Sequence, residues 1–260
     1  MITLKSNREI ALMKEAGKVV GKVFTTVEPY IKPGISTYEL NEIVEKVIFE
    51  NGCGAPCKGY YDYPSAACIS INNVLIHGIP NKKIILKEGD IVSIDVVASY
   101  KGYCADATRT YPVGIISDRA KRLILATKGA FFESLKYFKE DNHIGDISHA
   151  IESYITSFGY SVTRDATGHG IGSSMHEDPS VPCYGVEGTG AKITSGMALA
   201  IEPMVLEKKP NTRLLNDGWT VVSKDGGLTC HYENTVILTK EGVKIITLTE
   251  EESKELKEYV

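Results

Sequence analysis

Two stretches of the chain repeat one pattern at an interval of 107 positions, and this duplication limits the fold more than any other feature of the sequence. The apolar positions of one predicted helix coincide with those of another, which pairs Leu40 with Ile147, Val44 with Ile151 and Ile48 with Ile155. Residues 89–95 (GDIVSID) coincide with residues 196–202 (GMALAIE), so an acidic residue ends an apolar strand in both places. The repeat predicts two similar halves that bury their apolar faces against each other.

Each half begins with two predicted helices. Ser6 and Ser36 stand three residues before a glutamate and ahead of apolar residues at helical spacing, which is typical of a capped helix start. Ser117 and Asp146 are the predicted caps in the second half. The four predicted helices span about 7–28, 37–51, 118–138 and 147–159.

Segments rich in β-forming residues follow each pair of helices. They span about 66–71 and 91–111 in the first half, and about 160–165, 197–205, 219–223 and 231–247 in the second. The sequence therefore predicts an α+β fold with approximate two-fold symmetry. We expect one domain over residues 1–260, with halves of about 1–112 and 113–260 around a shared, mostly antiparallel sheet.

Composition excludes several classes of protein. The formal net charge of −4 gives no electrostatic reason to expect a nucleic-acid partner. No segment approaches the roughly 18 apolar residues of a membrane span, and the first residues turn polar before a signal-peptide core could form, so we expect a cytoplasmic protein. The six cysteines contain no C-x-x-C pair, which argues against a disulfide framework or a thiolate zinc site, although Cys53 and Cys57 could bind a soft metal.

An acidic residue interrupts the most apolar predicted strand. If Lys101-Gly102 is a two-residue hairpin turn, Asp95 lies opposite Thr108, and Asp106 becomes its diagonal neighbour on the same face. Two such carboxylates would repel each other unless a divalent cation lies between them. The alternative is that both acids only accept hydrogen bonds from backbone amides or cap the hairpin.

Three further polar residues occur in similar surroundings. His169 is flanked by glycines that allow close backbone approach, Glu202 follows an apolar strand, and Glu233 precedes another. Each could be a hydrogen-bonded polar group of the core. Together with Asp95 and Asp106 they form a set of oxygen donors and one imidazole, which suits two Mn(II), Fe(II), Co(II) or Zn(II) ions that activate water for hydrolysis. The set predicts a dinuclear metallohydrolase.

These five residues, in this order, resemble the metal ligands of methionine aminopeptidases of type I, the bacterial class, which have the pita-bread fold. The resemblance extends from the first helix to Val243. It is carried by residues 68–80 (CISINNVLIHGIP), 89–95 (GDIVSID), 167–172 (TGHGIG), 201–203 (IEP) and 232–235 (YENT). It implies a single catalytic domain without the amino-terminal zinc-finger extension of eukaryotic relatives.

The resemblance implies roles for the five donors. Asp95 would chelate one divalent ion, Asp106 and Glu233 would bridge two, and His169 and Glu202 would complete the second site. Glu202 would also carry a proton from the attacking water to the leaving amine.

The resemblance also implies substrate contacts and a second cation site. His77 and His176 would contact the substrate amide and stabilise the tetrahedral intermediate. The pocket for the methionine side chain would be lined by Cys57, Tyr60, Tyr63, Cys68, Met175 and Trp219. Ordinary core packing is the alternative, above all for Cys57 and Tyr60. A Na⁺ or K⁺ ion would be held by oxygen atoms of Asn72, Val74 and Thr229.

Three positions depart from the family pattern. Ala166 replaces a large residue, Met175 stands where an aromatic residue is usual, and Cys183 replaces histidine or asparagine. None is an expected metal ligand, so the departures concern the shape of the cleft. The implied substrates are peptides and nascent chains with N-terminal methionine and a small second residue, processed at or near the ribosome by a monomer.

Two other functions remain open from the sequence. Proline-specific peptidases, such as prolidase and X-Pro aminopeptidase, share the five ligand types but generally carry a separate amino-terminal domain. A non-catalytic pita-bread protein that binds partners would have lost metal ligands, whereas all five are present here.

Overall fold

The structure is a computed structural model, and it describes residues 1–259. Within these residues the α-helices are α1 (Asn7–Val27), α2 (Thr37–Glu50), α3 (Asp118–Leu135), α4 (Ile144–Ser157) and α5 (Glu250–Glu255). Each of the first four lies within three residues of its predicted bounds at either end.

The strands are short apart from one long hairpin. In the first half they are β1 (Ala67–Ile71), β2 (Val74–Ile76), β3 (Ile91–Tyr100) and β4 (Tyr103–Pro112). In the second half they are β5 (Ser161–Val162), β6 (Thr167–Gly170), β7 (Glu177–Pro182), β8 (Ala198–Ile201), β9 (Met204–Leu206), β10 (Thr212–Leu214), β11 (Val221–Ser223), β12 (Thr229–His231), β13 (Asn234–Thr239) and β14 (Gly242–Ile245). The predicted strands at 197–205 and 231–247 are each divided, and β2, β6, β7 and β10 were not predicted.

Every strand pair is antiparallel, and the backbone ladders form four sheets. Their strand orders are β1-β3-β4, β10-β11-β2, β12-β9-β5 and β14-β13-β8-β6-β7. The β10-β11-β2 sheet joins a strand of the first half to strands of the second. The two halves meet again where Glu233 N donates to Thr108 O at 3.0 Å, immediately beside the expected metal ligands.

The hairpin has the predicted register. Lys101 and Gly102 both have positive φ, 47° and 83°, as a two-residue turn of the primed type requires. Asp95 therefore pairs with Thr108, and Asp106 pairs with Val97, two positions along β3 from Asp95. A turn of two residues thus fixes which side chains of the two strands face each other.

Helix starts follow local capping chemistry, with one correction to the sequence prediction. Ser6 and Ser36 accept hydrogen bonds from backbone N–H groups and form capping boxes with Glu9 and Glu39, as predicted. The prediction that Asp146 is an N-cap was wrong. His143 is the N-cap of α4, and Asp146, three residues inside, accepts a bond from His143 N at 2.7 Å. Asp146 is thus the acidic partner of the cap.

The core consists of two clusters of buried apolar side chains. One lies between α1, α2 and the β1-β3-β4 sheet and contains Phe24 and Leu40. The other lies beneath α3 and α4 and contains Phe131 and Ile147. Burial of one such side chain stabilises a fold by about 1.5–3 kcal/mol. The two clusters therefore stabilise the positions of the strands that lie between them.

A buried cation ties the end of the chain to the central strands. The Arg109 guanidinium donates to Glu252 of α5 at 3.0 Å and to the backbone carbonyl of Glu233 at 2.6 Å. It also lies over the rings of Phe24 and Tyr232, 5.0 and 4.5 Å from their centroids. Helix α5 therefore helps to hold the backbone of Glu233 in place.

Within residues 1–259, no helix is both long and apolar enough to cross a membrane.

Candidate metal centre

Five donor residues predicted from the sequence converge between the two halves. Asp95 on β3 and Asp106 on β4 come from the first half, and His169 on β6 comes from the second. Glu202 directly follows β8, and Glu233 directly precedes β13. Because Asn234 pairs with Ile201 across β8 and β13, the two glutamates enter the site from neighbouring strands.

The imidazole of His169 is oriented by a hydrogen bond to the neighbouring backbone. Its Nδ1 lies 2.9 Å from the carbonyl oxygen of Gly170, so Nδ1 carries the proton and the lone pair of Nε2 faces the carboxylates. Nε2 is 3.5 Å from Glu202 Oε1 and 3.9 Å from Asp106 Oδ2. A Cβ on Gly168 would lie 2.5 Å from the carbonyl oxygen of Ala200, so only glycine permits this close strand packing.

Hydrogen bonds from threonines fix two of the acids. The hydroxyl of Thr108 donates to Glu233 Oε2 at 2.9 Å. Thr235 holds the backbone of Asp106 twice, since its hydroxyl accepts from Asp106 N at 2.8 Å and donates to Asp106 O at 2.9 Å. These contacts leave the other carboxylate oxygens free to face the centre of the site.

The centre has the properties of a cation site. Asp106, Glu202 and Glu233 are each less than 9% exposed, yet Asp106 Oδ1 and Glu233 Oε1 have no hydrogen-bond partner among the described residues. Donor atoms of Asp106, His169 and Glu233 all lie within 4.8 Å of one another. Buried acceptors left without a partner are costly, whereas divalent ions would satisfy them, so the residues present fit a metal centre.

The electrostatics lead to the same conclusion. Burial, followed by the nearby carboxylates, raises the pKa of Asp106, Glu202 and Glu233 well above the usual range, and burial also raises the pKa of Asp95. Four acids cannot all ionise here without a compensating positive charge. Burial lowers the pKa of His169 to about 4, which keeps its imidazole neutral at pH 7, the form that binds metals.

Two more predicted histidines lie on the rim. His176 stacks edge to face with His169 at a centroid distance of 4.5 Å, and its Nδ1 lies 3.2 Å from the Tyr60 hydroxyl. His77 has a left-handed backbone, with φ of 58°, and its ring contacts Trp219 at 5.9 Å. A non-glycine residue with positive φ is uncommon, and such strain is concentrated at functional sites.

A small cavity opens beside the acids. It has a volume of about 90 Å³ and contains all six residues predicted to contact a methionine side chain, namely Cys57, Tyr60, Tyr63, Cys68, Met175 and Trp219. It shares His77, Asp95, Asp106 and His176 with an outer cleft of about 660 Å³ that also contains the other three donors. Sulfur atoms and aromatic rings thus line a partly open space next to the donors.

Comparisons with known proteins agree with this geometry. Metallopeptidase family M24 matches residues 11–240 of the chain. A methionine aminopeptidase of Clostridium acetobutylicum is 46% identical over 250 residues, which cover 96% of this chain and 100% of that relative. The chain belongs to metallopeptidase family M24, among its methionine aminopeptidases. A metal-dependent aminopeptidase, the enzyme class predicted from the sequence, is thereby confirmed.

Two solved structures resemble this chain to different degrees. The crystal structure of a methionine aminopeptidase from Thermotoga maritima superposes with a TM-score of 0.94 at 40% identity and covers 95% of this chain and 100% of that one. A prolidase from Pyrococcus furiosus has a TM-score of 0.78 at 24% identity, and the match covers only 66% of its chain. The prolidase shares the fold alone. The predicted pita-bread fold is confirmed.

The three departures from the family pattern lie around the cleft. Ala166 lines the outer cleft and Met175 lines the small cavity. Cys183 is buried, and its thiol lies 3.3 Å from the backbone carbonyl of Glu202. Ala166 and Met175 therefore border the two cavities, whereas Cys183 packs behind Glu202.

The residues predicted to hold a monovalent cation are also brought together. The Thr229 hydroxyl lies 2.8 Å from the carbonyl oxygens of both Asn72 and Val74. Three oxygen atoms therefore meet at one point near the start of β2.

One residue of the centre was not predicted from the sequence. His231, at the end of β12, is 2% exposed, and its Nε2 lies 3.2 Å from Glu202 Oε2 and 3.9 Å from Glu233 Oε2. Its only sequence signal is its position two residues before Glu233, which places both side chains on one face of an extended chain.

Proposed function

We propose that this enzyme removes the N-terminal methionine from newly made proteins and peptides, using two divalent metal ions per chain. One observation carries the proposal: Asp106, whose buried Oδ1 has no hydrogen-bond partner among the described residues, borders a cavity of about 90 Å³ lined by sulfur and aromatic groups. An unbranched thioether packs well against such a lining. The proposed metals are Co(II), Mn(II), Fe(II) or Zn(II), which accept this mixture of carboxylates and imidazole.

The five donors divide between two ions in this proposal. Asp95 would chelate one ion, His169 and Glu202 would hold the other, and Asp106 and Glu233 would be shared by both. The unpartnered oxygens Asp106 Oδ1 and Glu233 Oε1 support the role of both acids as ligands, because a cation would satisfy them. The bound ions would supply an activated water and polarise the carbonyl of the scissile peptide bond.

The rim histidines act on the substrate. With the Tyr60 hydroxyl donating to Nδ1 of His176, its Nε2 carries the proton and can donate to the oxygen that becomes negative in the transition state. His77 binds the substrate amide from the opposite rim. Burial lowers the pKa of both imidazoles, to about 4 for His77, so both remain neutral donors at pH 7.

Glu202 moves the proton. Its Oε1 faces His169, and the carboxylate borders the cleft where water and the leaving amine meet. A carboxylate in this position can accept a proton from the attacking water and pass it to the amine. We further propose that a small second residue is preferred in the substrate.

We also propose the cellular setting. The substrates are nascent chains at or near the ribosome, and the enzyme acts in the cytoplasm as a monomer without a direct nucleic-acid role. The formal net charge of −4 supports the last point. The oxygens of Asn72, Val74 and Thr229 would hold one Na⁺ or K⁺ ion, as their convergence suggests.

Peptide hydrolysis tests the proposal. Purified, metal-reconstituted enzyme is incubated with Met-Ala-Ser and with peptides of the Ala-Pro type, and released amino acids are quantified. Release of methionine alone is the expected result. Cleavage before proline would identify a proline-specific peptidase, and absence of turnover with every metal would identify a partner-binding protein.

A further inference from the structure

We propose that His231 is a positioning residue that sets the orientation of the Glu202 carboxylate at the metal centre. The inference rests on the proposed function, because it assigns His231 a part in the same site. Its basis is the buried Nε2 atom of His231. His231 is 2% exposed, and its Nε2 has no hydrogen-bond partner in suitable geometry among the described residues.

The imidazole is held firmly by its strand. Thr110 fixes the backbone of His231 twice. His231 N donates to the Thr110 hydroxyl at 3.2 Å, and the same hydroxyl donates to His231 O at 2.7 Å. β12 also pairs His231 with Met204, two residues after Glu202. The side chain therefore faces Glu202 from a fixed backbone.

The two oxygens of Glu202 face different histidines. Oε1 is 3.5 Å from His169 Nε2, and Oε2 is 3.2 Å from His231 Nε2. At 3.2 Å, an N–H on His231 Nε2 would donate to Oε2 if the carboxylate turned into line with it. Such a bond would leave Oε1 to bind the ion shared with His169, because a carboxylate bonded at one oxygen presents the other.

Metal coordination by His231 itself is the competing role, since donor atoms of Glu202, His231 and Glu233 all lie within 4.8 Å of one another. The oxygen of Glu233 that His231 approaches argues against it. Nε2 approaches Glu233 at Oε2, the oxygen that Thr108 already bonds at 2.9 Å, and not at the unpartnered Oε1. His231 thus lies on the protein side of both glutamates. Oε1 of Glu233, which has no partner, and Oε1 of Glu202, which lies near His169, would be the oxygens left for the ions.

Two substitutions separate the roles. His231→Leu removes the donor and keeps an apolar filling, whereas His231→Gln keeps an N–H near the position of Nε2 without an imidazole. His149→Leu, on α4, is the matched control. Affinities for Co(II) alone are measured by isothermal titration of the apoprotein, together with the Co(II) absorption spectrum, kcat and KM for a Met-peptide, and the unfolding temperature of the apoprotein.

We expect His231→Leu to weaken binding of one ion by ~10–100-fold and to lower kcat with little change in KM. His231→Gln should restore affinity to within a few-fold, with an unchanged Co(II) spectrum, and His149→Leu should match wild type. A Gln variant as impaired as the Leu variant, or one with an altered spectrum, would show that the imidazole is a ligand. Full affinity and kcat in His231→Leu would show that the residue has no role.

Folding does not obscure the result. If His231→Leu fails to fold, the spectrum and affinity of His231→Gln decide alone, since near-normal values support positioning and losses overturn it. If the same titration shows that the wild-type protein binds no Co(II), the proposed metal-dependent function is wrong, whatever the variants show.

Discussion

Asp95 and Glu202 occupy equivalent positions of the repeat, yet their surroundings differ. Asp95 lies inside an unbroken ten-residue strand, β3, and pairs with Thr108 across the hairpin. Glu202 lies between two short strands, β8 and β9, next to Pro203, and two histidines, His169 and His231, face its two oxygens. Both halves carry an acid at this position, and the acid of the second half has an imidazole nitrogen within 3.5 Å of each of its oxygens.

This difference suggests a division of labour. An acid fixed in a regular strand is suited to holding an ion, because its position is set by the ladder on both sides. An acid between two short strands is less constrained by the ladder and can also transfer protons. We therefore expect substitutions at the two acids to impair the enzyme in different ways.

Amide substitution at the two equivalent acids should give the largest effect. Glu202→Gln is expected to lower kcat by ~10²–10⁴-fold at every metal concentration, because it removes the proton carrier. Asp95→Asn is expected to weaken the binding of one ion, so excess Mn(II) or Co(II) should recover part of the activity of this variant. The measurement is kcat against metal concentration. Recovery of Glu202→Gln by excess metal would contradict the assignment.

Replacing the rim histidine of the second half should have the next largest effect. His176→Ala is expected to lower kcat by ~10²–10³-fold, the usual loss for one donor to the developing oxyanion. Elemental analysis should still find about two ions per chain, as the proposed role lies outside the ligand set. Tyr60→Phe is the milder companion, since it removes only the bond to Nδ1. Loss of metal from His176→Ala would show that the residue is a ligand.

A smaller effect is expected in the cavity beside the acids. Met175→Ala enlarges the space for the substrate side chain, so kcat/KM for Met-peptides should fall by ~10-fold, while Phe-peptides should lose less. Metal content should match wild type. Equal losses for both peptides would indicate that Met175 packs the core without contacting the substrate.

The smallest expected effect compares helix caps of the two halves. Ser36→Ala should lower the free energy of unfolding by about 1 kcal/mol, because the buried hydroxyl caps α2 through Glu39 N. His143→Ala should cost less, since Asp146 bonds the backbone N–H of residue 143, which any residue provides. Urea denaturation measures both. A larger loss at His143 would mean that its side chain stabilises α4.

Local chemistry explains what could be predicted from the sequence. The start of α1 follows from Ser6 and Glu9, which are three residues apart, and the facing of Asp95 and Thr108 follows from a turn of two residues. Neither depends on distant parts of the chain. Strand context suggested the set of five donors, and the resemblance to a known family added their individual roles and the substrate contact of His77.

Tertiary structure explains what was missed. β7 has the polar sequence EDPSVP and is a strand only because β6 pairs with it. His231 became visible only when β12 was placed beside β9. Its neighbours in sequence carry no signal that a buried imidazole faces Glu202. Contacts between residues far apart in sequence decide both features.

The most direct test of the account counts metal ions and turnover together. Protein purified without oxygen is titrated with Mn(II) or Co(II), and bound metal and release of methionine from Met-Ala-Ser are measured on the same samples, with Asp106→Asn in parallel. The account predicts two ions per wild-type chain, methionine release that depends on them, and a lower metal stoichiometry in the variant. A wild-type chain that stays metal-free at saturating ion, or an Asp106→Asn variant that keeps both ions and full activity, would contradict it.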